Sequence, residues 1–317
     1  MKPLLVCLLA MFIWIPAVVE ATWQPQLAIG LAKGQEAINL KLPQGGQAYL
    51  DKEAKSVKNF SVGSQASIVC RGDHLLLNGK ELKGTVLTIK GDENKNPQSF
   101  FFTAGQNDYR GAAKIVVQHG KLTLINIIDV EDYLAGVVPK EMPSNWHTEA
   151  LKAQAVAART YALQNRNRHK ADGFDLCDNT HCQQYLGKKS ETQAASKALE
   201  ATKGEVVVYQ GKLIEALFHT DSGGMTEDSE NVWGSSLPYL RAAEEAEKYT
   251  KEWKKTFNAE RVASLVSKQG GKDIGELKEI RLSLLKIGQS ARDRSASGRV
   301  KQAVFVGKKG QVAVSGN

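Results

Sequence analysis

The sequence predicts an α+β protein, and three observations carry that prediction. Across residues 27–128, short apolar runs alternate with polar residues and are cut by Gly, Asn and Asp, the pattern of half-buried strands joined by tight turns. From Asp129 to Gly204 the apolar residues recur at helical spacing, with many alanines among them. Strand-like alternation returns in the last third, so strands and helices are segregated along the chain, unlike the strict alternation of a parallel α/β fold.

Taken in order, Lys2 precedes an apolar run over residues 4–19 that ends at Glu20-Ala21. Residues 1–21 read as a secretory signal peptide or an N-terminal membrane anchor, because the run is shorter than the roughly 20 residues of a comfortable span and Pro16 interrupts it. Strands are predicted over residues 37–40, 75–78, 85–89 and 100–103. A hairpin follows, with arms 114–118 and 121–128 around His119-Gly120. Asp129 is placed to cap a helix that Pro139 stops, and a second helix runs over 149–166 with Thr148 as its cap. The alanines of that helix imply close neighbours on several sides. A third helix opens on a Ser190/Gln193 capping box and ends before Gly204.

Beyond it, residues 205–209 and 212–218 flank Gln210-Gly211 as a hairpin. A charged helical stretch (244–268) then precedes strands at 282–287, 300–306 and 311–314, with an exposed loop over 293–297. The organisation expected is a β-rich N-terminal part, residues 27–118, followed by a core, residues 119–317, in which alanine-rich helices flank a turn and antiparallel strands close the chain.

Composition narrows the function classes. The 317 residues carry 42 Lys+Arg against 34 Asp+Glu, a formal charge of +8. With 42% apolar and 24% charged residues the chain can bury a core, which excludes a disordered protein. Four cysteines are too few for a disulfide-stapled miniature. The basic residues are scattered and no nucleic-acid-binding motif occurs, so the charge suits an exported protein that meets acidic cell-wall polymers better than one that binds nucleic acid.

Five sets of residues could carry chemistry. Glu141 lies in the predicted turn between Pro139 and Pro143, with Val138, Met142 and Trp146 as apolar neighbours. A carboxyl group held against such side chains loses solvation and becomes a proton donor. His169, Cys177, His181 and Cys182 supply the usual tetrahedral zinc donors, while export makes a Cys177–Cys182 disulfide a rival, and free thiols are the third option. Arg159 can hold a carboxylate of a ligand or pair with an acidic neighbour. Gln184 and Tyr185 suit sugar recognition through an amide and an aromatic face, or belong to the core. Ser222, followed by Gly223 and Gly224, lacks the Gly-x-Ser-x-Gly elbow of a serine hydrolase, and its glycines let backbone approach a ligand.

Residues 130–163, VEDYLAGVVPKEMPSNWHTEALKAQAVAARTYAL, resemble the signature of the stage II sporulation protein D (SpoIID) family and its LytB-type amidase-enhancer relatives. Further matches follow in order: Tyr109-Arg110-Gly111, Gln184-Tyr185-Leu186-Gly187, Ser222-Gly223-Gly224 with Thr226-Glu227, Val232-Trp233, Pro238-Tyr239-Leu240 and Ser297-Gly298-Arg299-Val300.

The resemblance implies a lytic transglycosylase that cuts the β-1,4 bond between N-acetylmuramic acid and N-acetylglucosamine without adding water. Glu141 matches the family's catalytic glutamate. Arg159, Gln184, Tyr185, Ser222, Gly223 and Gly224 are its implied substrate-binding residues, and a structural zinc ion is implied at His169, Cys177, His181 and Cys182. The implied partners are peptidoglycan glycan strands stripped of stem peptides, a SpoIIP-like amidase and a membrane scaffold of the engulfment machinery. The implied location is the cell wall or the outer face of the cytoplasmic membrane. The alternative is a non-catalytic, glycan-binding enhancer of a cell-wall amidase. Family members usually continue past their last strand into an Arg-containing segment with a Gly-Leu-x-Ser-like ending, so the resemblance implies an element beyond Ser315-Gly316-Asn317.

Overall fold

The computed structural model describes residues 25–51, 53, 55–92, 100–245 and 254–316. The signal-or-anchor reading of residues 1–21 lies outside the described residues, as does part of the charged stretch that starts at Glu244. The chain forms two compact units, residues 1–207 and 208–317.

The first unit begins with strands β1 (Gln26–Gln35), β2 (Ala37–Leu42), β3 (Gly46–Leu50), β4 (Lys58–Phe60), β5 (Ser64–Arg71) and β6 (His74–Leu77). It continues with β7 (Lys80–Leu82), β8 (Val86–Lys90), β9 (Phe101–Ala104), β10 (Asn107–Arg110), β11 (Ala112–Gln118) and β12 (Lys121–Asp129). Helix α1 (Val130–Glu141), helix α2 (Thr148–Gln164), the short strand β13 (Leu176–Cys177) and helix α3 (Gln193–Ala201) complete it.

Two sheets form, ordered β13-β1-β12-β11-β8-β3-β4 and β10-β9-β2-β5-β6-β7. Strict alternation is clearest in β2, where Ile38, Leu40 and Leu42 are buried and the residues between them exposed, so one face of that strand meets the core. β12 loses the alternation. Leu122 through Ile125 and Asn126 are buried in succession, because the strand touches β2 and β5 of the second sheet as well as α1. The hairpin between β11 and β12 forms as expected, with His119 and Gly120 at φ 51° and 69°, the left-handed pair that a type I′ turn needs. That hairpin spans residues 118 and 119, so the first sheet is continuous across the division between the expected N-terminal part and core.

The helix boundaries differ from the expected ones for local reasons. Pro139 does not stop α1, which runs through it to Glu141. In the last turn Pro139 removes the bond its missing N–H would have made to the Ala135 carbonyl and crowds that carbonyl, a local cost that the helix absorbs without ending there. The effective stop is Pro143, which forces the preceding Met142 out of the helical region to φ −140°, ψ 134°. His147, not Thr148, caps α2, its Nδ1 accepting from the Glu149 N–H at 3.2 Å. α3 is capped by Thr192, whose Oγ1 accepts from the Ala195 N–H, while the Ser190 hydroxyl is spent on the Gly136 and Gly187 carbonyls. Ala155, Ala158 and Ala162 of α2 are fully buried, and α2 packs on both α1 and α3.

The second unit contains the hairpin β14 (Val208–Tyr209) and β15 (Lys212–Leu213), helix α4 (Ser229–Trp233), helix α5 (Ala259–Gly270), and a sheet of β16 (Leu277–Arg281), β17 (Gln302–Gly307) and β18 (Gly310–Ser315). Ala263 and Val266 of α5 pack with Ile274 and Val312 as its small core. The helix is shorter than expected, starting at a cap by Asn258.

Residues 282–287 are not a strand. Ser283 N donates to the Asp293 carboxylate and Arg294 Nε to the Ser283 carbonyl, so side chains of the 293–294 segment take the backbone bonds a ladder would need. The loop over 293–297 is not exposed either, because Ser295 and Ser297 are buried against Glu227.

Candidate active site and metal-ligand cluster

Glu141 is the last residue of α1 and therefore sits on a helix end, not in the turn proper. It is half-buried. Its Oε1 accepts a hydrogen bond from the Gln184 backbone N–H at 3.1 Å, and its Oε2 has no hydrogen-bond partner among the described residues. Of the three apolar neighbours expected around it, Val138 is fully buried one helical turn earlier, Met142 is half-buried, and Trp146 is 52% exposed. Trp146 stays out because the tight loop of residues 142–147 closes on a Trp146 N–H to Pro143 carbonyl bond.

The segment after Cys182 positions that carboxylate. The Gln183 amide is buried, its Oε1 accepting from the Tyr133 hydroxyl and its Nε2 donating to the Ala158 carbonyl, both at 3.4 Å. Gln184, half-buried, turns its backbone N–H to Glu141. Tyr185 is 1% exposed, so it is a core residue and not a sugar platform. Its hydroxyl donates to Asn126 Oδ1 at 3.0 Å and its ring packs between Tyr109 and Tyr133. Asn126 is itself satisfied, its amide donating to the Arg110 and Ala112 carbonyls. The motif ends at Gly187, with φ 62°, where a Cβ would lie 2.1 Å from the Asp108 carbonyl oxygen; only glycine fits.

Arg159 is likewise not open to a ligand. The side chain is fully buried, Nε and Nη2 each donate at 2.8 Å to the two oxygens of Glu131, and Nη1 donates to the Glu205 carbonyl at 3.0 Å. A second bidentate pair joins Arg110 to Glu191 at 2.7 and 2.8 Å. Between them, burial pushes the Asp132 carboxyl up, and Arg110 opposes the shift.

His169, Cys177, His181 and Cys182 converge, their ligand atoms all within 4.8 Å of one another. Cys177 arrives on β13, which pairs with β1 through Gly30. Cys182 Sγ lies 3.4 Å from His169 Nε2 and 3.6 Å from His181 Nδ1, and Cys177 Sγ is 3.6 Å from His181 Nδ1. With Zn–S about 2.3 Å and Zn–N about 2.05 Å, a sulfur and a nitrogen at tetrahedral positions stand about 3.6 Å apart, so two thiols and two imidazoles with these spacings fit a zinc ion. The cysteines are not joined to each other. Burial pushes the Cys182 thiol up to about 11; the backbone of Cys177 opposes the shift, the Cys177 thiol adds to it, and Arg168 opposes it. Cys70 stands apart, its thiol donating to the Gly72 carbonyl.

In the second unit, Ser222 is buried and its Oγ accepts from the Gly224 N–H, while Gly223 N donates to Asp221 Oδ1. The two glycines thus close a local turn with φ 71° and 97°. Sequence reasoning passed over the group that organises this unit. Glu227 accepts from the Ser295 and Ser297 hydroxyls, from Asn231 Nδ2 and from the Asp228 N–H, while Arg299 donates to the Ser222 and Met225 carbonyls. The motifs around Ser222, Glu227 and Ser297 were visible as separate strings; their common carboxylate was not.

Comparison with known proteins agrees with the motif. Residues 118–209 match the SpoIID family model, described as stage II sporulation protein. An uncharacterized protein of Brachyspira hyodysenteriae is 40% identical over 141 residues, 44% of this chain and 38% of the relative. The amidase enhancer of Bacillus subtilis is 43% identical over 129 residues, 41% of this chain and 17% of the relative. Stage II sporulation protein D of the same organism is 34% identical over 150 residues, 42% of this chain and 44% of the relative. The chain therefore covers less than half the length of each of these relatives, and the likeness to the SpoIID family is carried by its central segment, residues 118–209.

Proposed function

We propose that this protein is an exported peptidoglycan lytic transglycosylase that uses Glu141 as its single acid and base and acts in sporulation on denuded glycan strands. The observation that supports it best is the state of the Glu141 carboxyl group: one oxygen is pinned by the Gln184 N–H and the other is partnerless among the described residues, at a half-exposed helix end. A hydrolytic glycosidase needs two carboxyl groups flanking the bond. A transglycosylase needs one, because the sugar supplies its own nucleophile.

Protonated Glu141 gives its proton to the glycosidic oxygen as the bond from C1 of the muramic acid to that oxygen breaks. The resulting carboxylate takes the proton of the C6 hydroxyl as O6 bonds to C1. The enzyme is regenerated and a 1,6-anhydro end is formed, with no water consumed. His169, Cys177, His181 and Cys182 would hold a structural zinc ion, whose chemistry is to cross-link the loop that carries Gln184. A SpoIIP-like amidase supplies the denuded strands, at the cell wall or the outer membrane face, alongside a membrane scaffold.

A second reading has its own support, the 43% identity to a protein named amidase enhancer: a glycan-binding protein that stimulates an amidase without cutting glycan. Incubating the full chain with denuded glycan strands and analysing the products by mass spectrometry separates the two. Anhydro-muramic ends formed by the wild type but not by Glu141→Gln, with equal melting temperature and glycan binding, establish the enzyme; the loss expected for removing the proton donor is about 100-fold or more. Absence of such ends together with stimulation of an amidase establishes the enhancer.

A further inference from the structure

The two imidazoles of the metal-ligand cluster are held very differently. His169 is fixed on three sides. Its Nε2 points at Cys182 Sγ, 3.4 Å away, its Nδ1 lies 3.3 Å from Asp172 Oδ2, and its ring stacks on Phe174 with centroids 5.0 Å apart. Phe174 in turn presses on β1 at Gly30, where a Cβ would come within 2.6 Å of the ring. Asp172 is held as firmly. Its second oxygen pairs with Lys33 of β1, its N–H donates to the His169 carbonyl at 2.9 Å, and its own carbonyl accepts from Gln118 Nε2. His181, by contrast, is exposed, offers Nδ1 to both sulfurs, and has no carboxylate behind it among the described residues.

We propose that Asp172 is the outer-shell residue of this cluster, holding His169 in the tautomer and orientation that present Nε2 to a bound zinc ion, with Lys33 neutralising its charge. This rests on the zinc reading above. The chemistry follows from the two ring nitrogens. A neutral imidazole has one N–H and one lone pair, and a carboxylate at Nδ1 draws the N–H to that side, leaving the lone pair on Nε2. Asp172 is not itself a ligand, since its oxygen sits on the far side of the ring from the sulfurs. The charges also balance: two thiolates neutralise the divalent ion, and Lys33 neutralises Asp172. His169 is thus the preformed ligand, and His181 the one that adjusts.

The test is zinc affinity of the full chain, measured by competition with a chromophoric chelator for wild type, Asp172→Ala, Asp172→Asn and Lys33→Met, with cobalt spectra recorded at saturation. Loss of an outer-shell partner typically weakens binding 10- to 100-fold, and that loss is expected for Asp172→Ala. Asp172→Asn keeps an acceptor oxygen and guards against a misfolded alanine variant; a smaller loss is expected. Lys33→Met leaves the Asp172–His169 contact in place, so its affinity should stay within about threefold of wild type. The cobalt spectrum should keep its two-sulfur character in all four proteins.

Equal affinity for wild type and both Asp172 variants overturns the proposal. So does a Lys33→Met loss as large as that of Asp172→Ala, because the effect would then belong to the strap from β1 and not to the carboxylate. Failure of the wild type to take up zinc or cobalt overturns the zinc reading itself, a result distinct from either.

Discussion

Replacing Arg159 by methionine tests whether this buried guanidinium is part of the scaffold. The substitution removes three donors at once: two to Glu131 at 2.8 Å each and one to the Glu205 carbonyl at 3.0 Å. Breaking a buried ion pair by deleting one partner typically costs about 3–5 kcal/mol, most of it from the charge left behind. Glu131 keeps 23% side-chain exposure, so part of its charge returns to water and the expected cost is about 3 kcal/mol. At about 2–4 °C per kcal/mol for a unit of this size, the melting temperature should fall by about 6–12 °C. Arg159→Lys keeps the charge but loses the fork and should fall between the two. In the double variant Glu131→Gln/Arg159→Met the stranded charge is gone, so the combined loss should be less than the sum of the single losses. Circular dichroism melts and glycan-binding titrations on the same samples check this. If Arg159→Met melts within about 2 °C of wild type yet no longer binds glycan, the guanidinium serves a ligand and the scaffold argument fails.

Three further outcomes follow from contacts elsewhere. Gly136→Ala puts a Cβ 2.7 Å from the fully buried Tyr185 ring, so it should destabilise by about 1–3 kcal/mol, and Tyr185→Phe, which leaves the ring in place, should not relieve it in a thermal melt. Burial acts to raise the Glu227 carboxyl, but the bonds from Ser295, Ser297, Asn231 and the Asp228 N–H outweigh it and hold the group below its usual range. Its folded pKa being lowered, its contribution is fully present above the unfolded value of about 4.5 and is lost as pH falls through the folded one. Protection factors of peptides covering residues 222–231, that is, exchange corrected for its intrinsic pH dependence, should therefore fall below about pH 4.5 in the wild type and change little with pH in Glu227→Gln. Under the proposed zinc reading, chelator treatment of the zinc-loaded protein should speed exchange of the Gln184 amide while leaving the β11–β12 hairpin protected; unchanged protection at Gln184 would uncouple the cluster from Glu141.

What could be read from the sequence was whatever depends on near neighbours. The β11–β12 hairpin was legible because period-two alternation and His119-Gly120 coincide within a few residues. The convergence of His169, Cys177, His181 and Cys182 was legible because all four lie between residues 169 and 182. Arg159 and Tyr185 stood out, but their roles depend on Glu131 and Asn126, 28 and 59 positions away, and no local pattern announces such partners. Pro139 misled for a related reason. Whether a helix absorbs a proline or ends at it depends on the packing around it, and here the end falls at the next proline, 143, with Met142 in the extended region before it. Asp172 was missed because an acidic residue three positions after a histidine is common, and only the fold turns its carboxylate onto the ring.

The short run from Cys182 to Tyr185 links the two candidate sites. Each residue along it is committed to a different neighbour: Cys182 to the imidazoles, Gln183 to Tyr133 and the Ala158 carbonyl, Gln184 through its N–H to Glu141, and Tyr185 to Asn126 and the face of α1 at Gly136. A segment anchored at every residue has little freedom to move one of them alone. Under the proposed reading, an ion bound at Cys182 therefore fixes the position of the Gln184 N–H two residues on, and with it which oxygen of Glu141 remains available for proton transfer. A misplacement of about 1 Å at a reacting group can cost about 100-fold in rate. On that reading a proton donor on a helix end gains from being steadied by a cross-linked loop, and the proposed ion would act on catalysis through geometry: four ligands would stabilise a loop, the loop would orient one oxygen, and the other oxygen would meet the sugar.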